Sequence, residues 1–437
     1  MTLETGTPTT GTGFPSTDEL MRELSEVFAA SKVSDIYPGL AQRRRDTPVM
    51  EGDLLAEFGA PSMAAGFDGS RAVYTLFRYD DVLAALKDDE TFSSSPMQDA
   101  LGPLLGTVIT GLDGEEHRHL RALLSPAVAR ENFGLWQETI VDPVVTQLVA
   151  DVAAGDGRAD LMGFAVRFPI RIIYEVLGFP TDDLESYELF QARALTTLLG
   201  FGSTDPAMAD KAMANMMRAL ESVQGLYDDM LPIVQRRRAE GAVGHDLIAH
   251  LLRAEVDGVR MTDHEVTVLA RSLLPAAAET TTRSWSNMMV CLLNRPELLD
   301  AVRADRSLVP KVVNETMRFE PTSVANARLT TRDVEIRGVT IPAGTGVTLM
   351  QGAANRDEEV YADPDTFDPF RTGKPSLTFG WGAHMCIGMN LAKLEMVSAL
   401  NAVLDGLPGL RADPDAPAPE VAGITLRGAR ALPVVWG

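Results

Sequence analysis

The chain has 437 residues, enough by length for two or three domains of about 150 residues each, although one large core can also absorb such a length. Apolar residues supply 45% of it and charged ones 23%, an ordinary balance for a soluble globular protein, and 39 basic against 61 acidic residues give a net charge of −22, which argues against a nucleic-acid partner. With two cysteines and no run resembling a membrane span or a secretory h-region, a disulfide framework is excluded, no membrane association is expected, and a cytoplasmic location is expected.

In chain order, residues 1–15 are polar and rich in Thr and Gly, and are expected to form a flexible segment ahead of a single domain spanning 16–437. Ser16 and Glu19 have capping-box spacing before the amphipathic run LMRELSEVFAAS, which predicts a helix. AVYTLFRY (72–79) reads as a strand, with Asp80 or Asp81 capping a short helix after it. Thr262 and Glu265 repeat the capping-box spacing, and Pro296 marks the far end of a helix of about 30 residues, roughly 45–50 Å long. Pro275 inside it removes one backbone bond and crowds the carbonyl of Arg271, so the helix should bend or loosen there. Leu273, Ala276, Ala277 and Thr280 share one face, small at its centre, as if something flat must approach it. VEIRGVTIPAGTGVTLMQ (334–351) is β-rich with turns at Gly338 and Pro342-Ala343-Gly344, and ITLRGARALPVVW reads as another small hairpin. Helical signals fill most of the chain and no linker divides its middle, so the expected fold is mainly α with small β-sheets.

Cys386 sits in FGWGAHMCIG (379–388), and four roles compete for it. A zinc site needs three or four Cys and His ligands at short spacing, and only His384 is near. A nucleophilic thiol needs a base held beside it, which a His two positions earlier on a glycine-rich loop supplies poorly. A buried, inert thiol is the plainest reading. The fourth is an axial thiolate ligand to haem iron. The residues that follow, IGMNLAKLEMVSALNAVL, are helix-forming, which places Cys386 at a helix N-terminus where free N–H groups and the dipole stabilise a thiolate. Gly382 and Gly388 would let the backbone pass close to a flat macrocycle, Phe379 can pack beside the sulfur, and His384 is a candidate donor to a haem propionate.

FGWGAHMCIG matches every position of the cysteine-ligand signature of the cytochrome P450 family of haem-thiolate monooxygenases, and the resemblance extends from about residue 72 to the end of the chain. It implies the family's single-domain fold and a haem b (iron protoporphyrin IX) whose iron is held by Cys386. NETMRFEPT carries Glu315 and Arg318 at i,i+3, by itself a common surface pair; the segment resembles the family's E-x-x-R helix, and ADPDTFDPFR supplies Arg371 as the third partner of what is, in the family, a structural lock. LDGEEHRHLRALLSPAV places His117 and Arg121 at i,i+4, otherwise readable as a solvated face; it is similar to the helix whose His and Arg hold haem propionates. ARLTTRDVEIRGVTIPAG resembles the strand region that contributes a further arginine, which falls on Arg328, so His117, Arg121, Arg328 and His384 would face two carboxylates. LLPAAAETTTR resembles the oxygen-binding segment, with Glu279 and Thr280 on the acid and alcohol positions that deliver protons in the family's mechanism. The sequence departs from the pattern at Ala277, where glycine is common, and at Pro275.

The resemblance implies NAD(P)H-dependent insertion of one atom of O2 into a hydrophobic small molecule. Electrons would come from an external ferredoxin and ferredoxin reductase, since nothing in the chain resembles a flavin or nicotinamide module. Regions that line the family's pocket fall on Leu105, Val108, Leu273, Ala276, Ala277, Val324, Ala325 and Ile424, all apolar. No arginine obviously awaits a carboxylate, which tilts the expected guest away from fatty acids. A peroxide-using or rearranging haem-thiolate enzyme, a non-catalytic haem-binding protein and a colourless thiol hydrolase are the alternatives.

Overall fold

The computed structural model describes residues 14–29, 33–60, 62–66, 69–200 and 209–437. Of the expected flexible segment 1–15, all but the last two residues lie outside them. The helices that frame the site are α1 (Thr17–Ala29), α2 (Tyr79–Lys87), α3 (Ser95–Leu105), α4 (Gly114–Leu124), α5 (Asp142–Ala153) and α6 (Met162–Leu177). They are followed by α7 (Leu184–Gly200), α8 (Ala209–Ala239), α9 (Asp263–Leu293), α10 (Val309–Phe319) and α11 (Met389–Gly406). The fold is mainly α, and the largest apolar cluster lies among these helices, with α9 at its centre packed on α6, α8, α10 and α11. Trp285 of α9 meets Phe164 and Phe168 of α6 at ring-centroid distances of 5.1 and 5.9 Å, an edge-on packing that adds to the apolar burial.

Both capping boxes form. Ser16 and Glu19 exchange hydrogen bonds at 2.9 and 3.3 Å at the head of α1, and Thr262 with Glu265 does the same at the head of α9. Pro275 does not break α9, which runs unbroken for 31 residues. The missing N–H costs one bond, and packing on four neighbouring helices keeps the segment helical despite it. The helix α2 begins earlier than its aspartates suggested: Asp80 and Asp81 lie in its first turn, and the Tyr79 amide is instead met by Asp357 Oδ2 at 2.9 Å. A long-range partner thus replaces the local cap.

Five short strands form the largest sheet: β1 (Val49–Glu51), β2 (Val73–Leu76), β3 (Phe92–Ser93), β4 (Asn326–Thr330) and β5 (Gly346–Leu349), in the order β1-β2-β5-β4-β3. The β2–β5 pair is parallel, with Val73 opposite Gly346, and the others are antiparallel; Arg328 of β4 lies opposite Val347. Gly346 is required there, since a Cβ would stand 2.2 Å from the Ala64 carbonyl oxygen. Val334–Ile336 and Val339–Ile341 form the expected hairpin, turning through Arg337 and Gly338 at positive φ. ITLRGARALPVVW is not a hairpin of its own. Gly428–Ala429 pairs with Val421–Ala422, and Pro433–Val435 pairs with Arg158–Asp160 and Arg411–Ala412, because neighbours far along the chain offer the ladder.

Candidate active site

The cysteine loop leads into α11. The Cys386 amide donates to the Phe379 carbonyl at 2.8 Å, and Gly388 caps the helix, so that the amides of Gly388 and Met389 turn towards the sulfur. Cys386 is exposed, but it opens onto a recess rather than bulk water: burial by surrounding protein pushes its thiol up, against the opposing pull of those amides and of Arg121. The helix terminus alone therefore does not make a thiolate here, and a metal ion would have to take the proton's place. No imidazole or carboxylate hydrogen-bonds the sulfur among the described residues, so the loop lacks the base a thiol nucleophile needs. Gly388 has nothing within 4 Å of where its Cβ would stand. Gly382 differs from expectation, because its missing Cβ faces α2, 2.8 Å from the Leu86 carbonyl oxygen, and φ is +71°. Phe379 packs on the main apolar cluster under the Lys393 ammonium, 5.5 Å from its ring centroid.

Beside the loop stands a group of basic side chains, His117, Arg121, Arg328 and His384. The rings of His117 (α4) and His384 lie 4.1 Å apart, centroid to centroid. Neither nitrogen of the buried His384 ring has a hydrogen-bond partner among the described residues, and Asp113 Oδ1, at 3.6 Å from Nε2, is too far for one. Burial, with His117 and Arg328 next, pushes the His384 imidazole down to about 4. Among the described residues Arg328, 5% exposed, hydrogen-bonds only the neighbouring Ala327 carbonyl, and burial brings its guanidinium down to about 10. Arg121 donates to the Met385 carbonyl at 2.7 Å and so ties α4 to the cysteine loop. Buried donors with unspent capacity and lowered proton affinity call for an acceptor that carries negative charge. A haem, with two carboxylates beside a thiolate-bound iron, fits that donor set.

The centre of α9 is open on one face only. Ala276 and Thr280 are exposed and Leu273 and Ala277 half-buried, whereas Leu274, Pro275, Ala278 and Glu279 are buried. The Thr280 hydroxyl donates to the Ala276 carbonyl at 2.6 Å. Glu279 turns away from that face and accepts from Arg283 Nε and Nη2 at 3.1 and 2.9 Å on one carboxylate oxygen. Burial raises its proton affinity, opposed by Arg283. Of the other pocket expectations, Val324 and Ile424 lie buried in a cluster with Ile36, Tyr37 and Met350, with Ala325 partly buried against it, and Leu105 and Val108 are buried against Val223 of α8. At the back, Arg318 holds both carboxylate oxygens of Glu315 at 2.6 and 2.9 Å, and Arg371 Nε reaches the same carboxylate at 3.4 Å. Sequence reasoning passed over Arg271, a buried cation inside α9 whose only warning was its place in the apolar run VLARSLLPAAA.

The profile of the cytochrome P450 family matches residues 62–406. The chain belongs to the cytochrome P450 family. It is 34% identical over 432 residues to the cytochrome P450 monooxygenase PikC of Streptomyces venezuelae, covering 94% of this chain and 93% of that one. Cyclomarin C epoxidase CymV of Salinispora arenicola is 35% identical over 339 residues, 76% of this chain and 83% of its own. Among solved structures, HmtT, involved in himastatin biosynthesis, superposes with a TM-score of 0.77 at 32% identity, over 94% of this chain and 99% of HmtT. This cytochrome P450 is thus a monooxygenase with haem iron as its cofactor, acting on a small molecule with O2. No helix among the described residues is long and apolar enough to cross a membrane.

Proposed function

We propose that this cytochrome P450 oxygenates a hydrophobic small molecule held between Cys386 and the open face of α9, in the cytoplasm, using haem b and electrons from a ferredoxin and its reductase. The observation that carries the reading is the Cys386 thiol, open to a recess, backed by two amides and lacking a neighbouring base. When bound there, the haem supplies the oxygen-activating chemistry, one atom entering the substrate and the other leaving as water.

The chain's own residues do the rest. Cys386 would hold the iron as a thiolate, and the Gly388 and Met389 amides would stabilise its negative sulfur. His117, Arg121, Arg328 and His384 would hold the two propionates, which would accept the hydrogen bonds that the His384 ring and Arg328 leave unspent. Leu273, Ala276 and Ala277 offer the guest an apolar surface and keep water from the reacting carbon. The Thr280 hydroxyl, exposed on that face and donating to the Ala276 carbonyl, keeps acceptor capacity with which it can accept or relay a proton. Glu279 must leave Arg283 to join that relay.

The test is the carbon monoxide difference spectrum of the reduced protein. A long-wavelength Soret band typical of a thiolate-ligated haem is expected in the wild type and its loss in Cys386→Ser. A wild-type protein without haem absorbance, or a band unaltered by Cys386→Ser, removes the proposal.

A further inference from the structure

A cavity of about 330 Å³ opens between α6, α7 and α8, and no residue of α9 or of the cysteine loop lines it. It stands apart from the recess. Three aromatic rings form one wall: Tyr174 of α6, Phe179 of the turn that follows and Phe190 of α7 lie 5.0, 4.9 and 5.4 Å apart in pairs, centroid to centroid. Leu226, Met230 and Ile233 of α8, at i,i+4,i+7 spacing, form another. Val223 and Tyr227, which meet Leu105 and Arg271, lie on a different side of the same helix.

The polar groups of the lining are spent elsewhere. The Tyr174 hydroxyl donates to the Pro180 carbonyl at 2.9 Å. Asp183 accepts from the Ser186 amide and hydroxyl at 3.0 and 2.6 Å, where α7 begins, and Asp229 pairs with Arg193 at 2.8 Å. Arg236 is exposed and keeps its charge in water. No side chain of the lining holds a buried polar atom without a partner. This is the reverse of the donor set beside Cys386. A guest gains affinity here by taking apolar surface out of water, and any charge it carried would be desolvated without a new partner. The ring wall favours a guest that is itself aromatic, met edge-on or offset. The volume sits at the lower end of small-molecule sites, which suits one or two rings.

We propose that the cavity between α6, α7 and α8 is a second small-molecule site of this cytochrome P450, taking an uncharged aromatic compound of one or two rings. It goes beyond oxygenation in the recess and does not depend on it. A cavity that is only a packing defect would hold no guest and would be indifferent to a guest's charge.

The experiment uses the holoenzyme, reduced and carbon monoxide-bound, with isotopically labelled methionine methyls. The Met230 signal is identified by its loss in Met230→Leu. Naphthalene is expected to move that signal by its ring current, saturating at one guest per chain, and naphthoate should need about tenfold or more higher concentration to do the same. Leu189→Trp and Ile233→Trp, which fill the space from α7 and from α8, should each abolish the shift while the Soret band of the complex stays in place. A Met230 signal that naphthalene leaves unmoved, naphthoate binding as tightly as naphthalene, or a shift that survives in either tryptophan variant overturns the proposal. Protein without haem absorbance defeats the haem-thiolate reading instead, and the Met230 signal still decides on the cavity.

Discussion

Thr280 and Glu279 are neighbours in the chain but look in opposite directions, one into the recess and the other into a buried ion pair with Arg283. Their contributions should therefore separate. Thr280→Ala removes a hydroxyl from an exposed position, so substrate affinity by spin-state titration should stay within about twofold, while product formed per NADH consumed falls several-fold. Unchanged coupling would take Thr280 out of proton handling. Glu315 poses the opposite case: its carboxylate meets two arginines and is 5% exposed, and its removal leaves Arg318 buried without a counter-charge. Glu315→Ala should lower stability by about 3–5 kcal/mol, read from urea unfolding, without moving the Soret band of whatever folded holoenzyme remains. Cys386, the cations around it and the Glu315 lock were legible because each sits in a short motif whose chemistry dictates its residue types. Arg271 was not, because a single arginine carries no motif and its isolation shows only when its neighbours are placed.

Among the elements, α1 shows what local signals reveal and what they leave out. Its capping box and amphipathic run predicted a helix, and a helix is there. Its destination was hidden: α1 lies on α7, and Leu20, Met21 and Leu24 join the main cluster. Glu23 pairs with Arg218 and Glu26 with Lys211 of α8, each at 2.6 Å, and Thr17 reaches Gln191 of α7 at 3.3 Å. Surface ion pairs contribute little, whereas each buried apolar side chain is worth of order 1.5–3 kcal/mol, so packing holds the strap. Deleting residues 1–29 should speed amide exchange in α7 and α8 by tenfold or more, of order 1.4 kcal/mol, while α9 stays protected. Equal exchange in both forms would show that α1 merely rests there. Where a local signal misled, at Asp80, a contact from a distant segment supplied the hydrogen bond that the local cap could have made.

At the scale of the whole molecule, a net charge of −22 would repel an acidic ferredoxin unless the cysteine face is locally basic. That face does carry cations: Lys87 stands 5.8 Å from the Trp381 ring centroid, Lys393 5.5 Å from that of Phe379, Arg121 holds the Met385 carbonyl, and Arg118 is exposed on α4. Arg118→Glu should weaken ferredoxin binding several-fold at low salt and flatten its salt dependence, measured by titration at two ionic strengths. An unchanged affinity and salt slope would remove Arg118 from the docking surface.

The order of the large sheet has a consequence in time. β1 and β2 can pair early, but the other edge of β2 pairs with β5 and β3 pairs with β4, so both wait for strands beyond residue 325. At about 5–20 residues per second of synthesis, the interval from Val73 to Gly346 is roughly 15–55 s. Throughout it, one edge of β2 is an open ladder, and Arg328 has not yet been made. The nascent chain must therefore be shielded from its own kind until its last quarter emerges, and slower, cooler expression with ample haem should favour the folded product over aggregates.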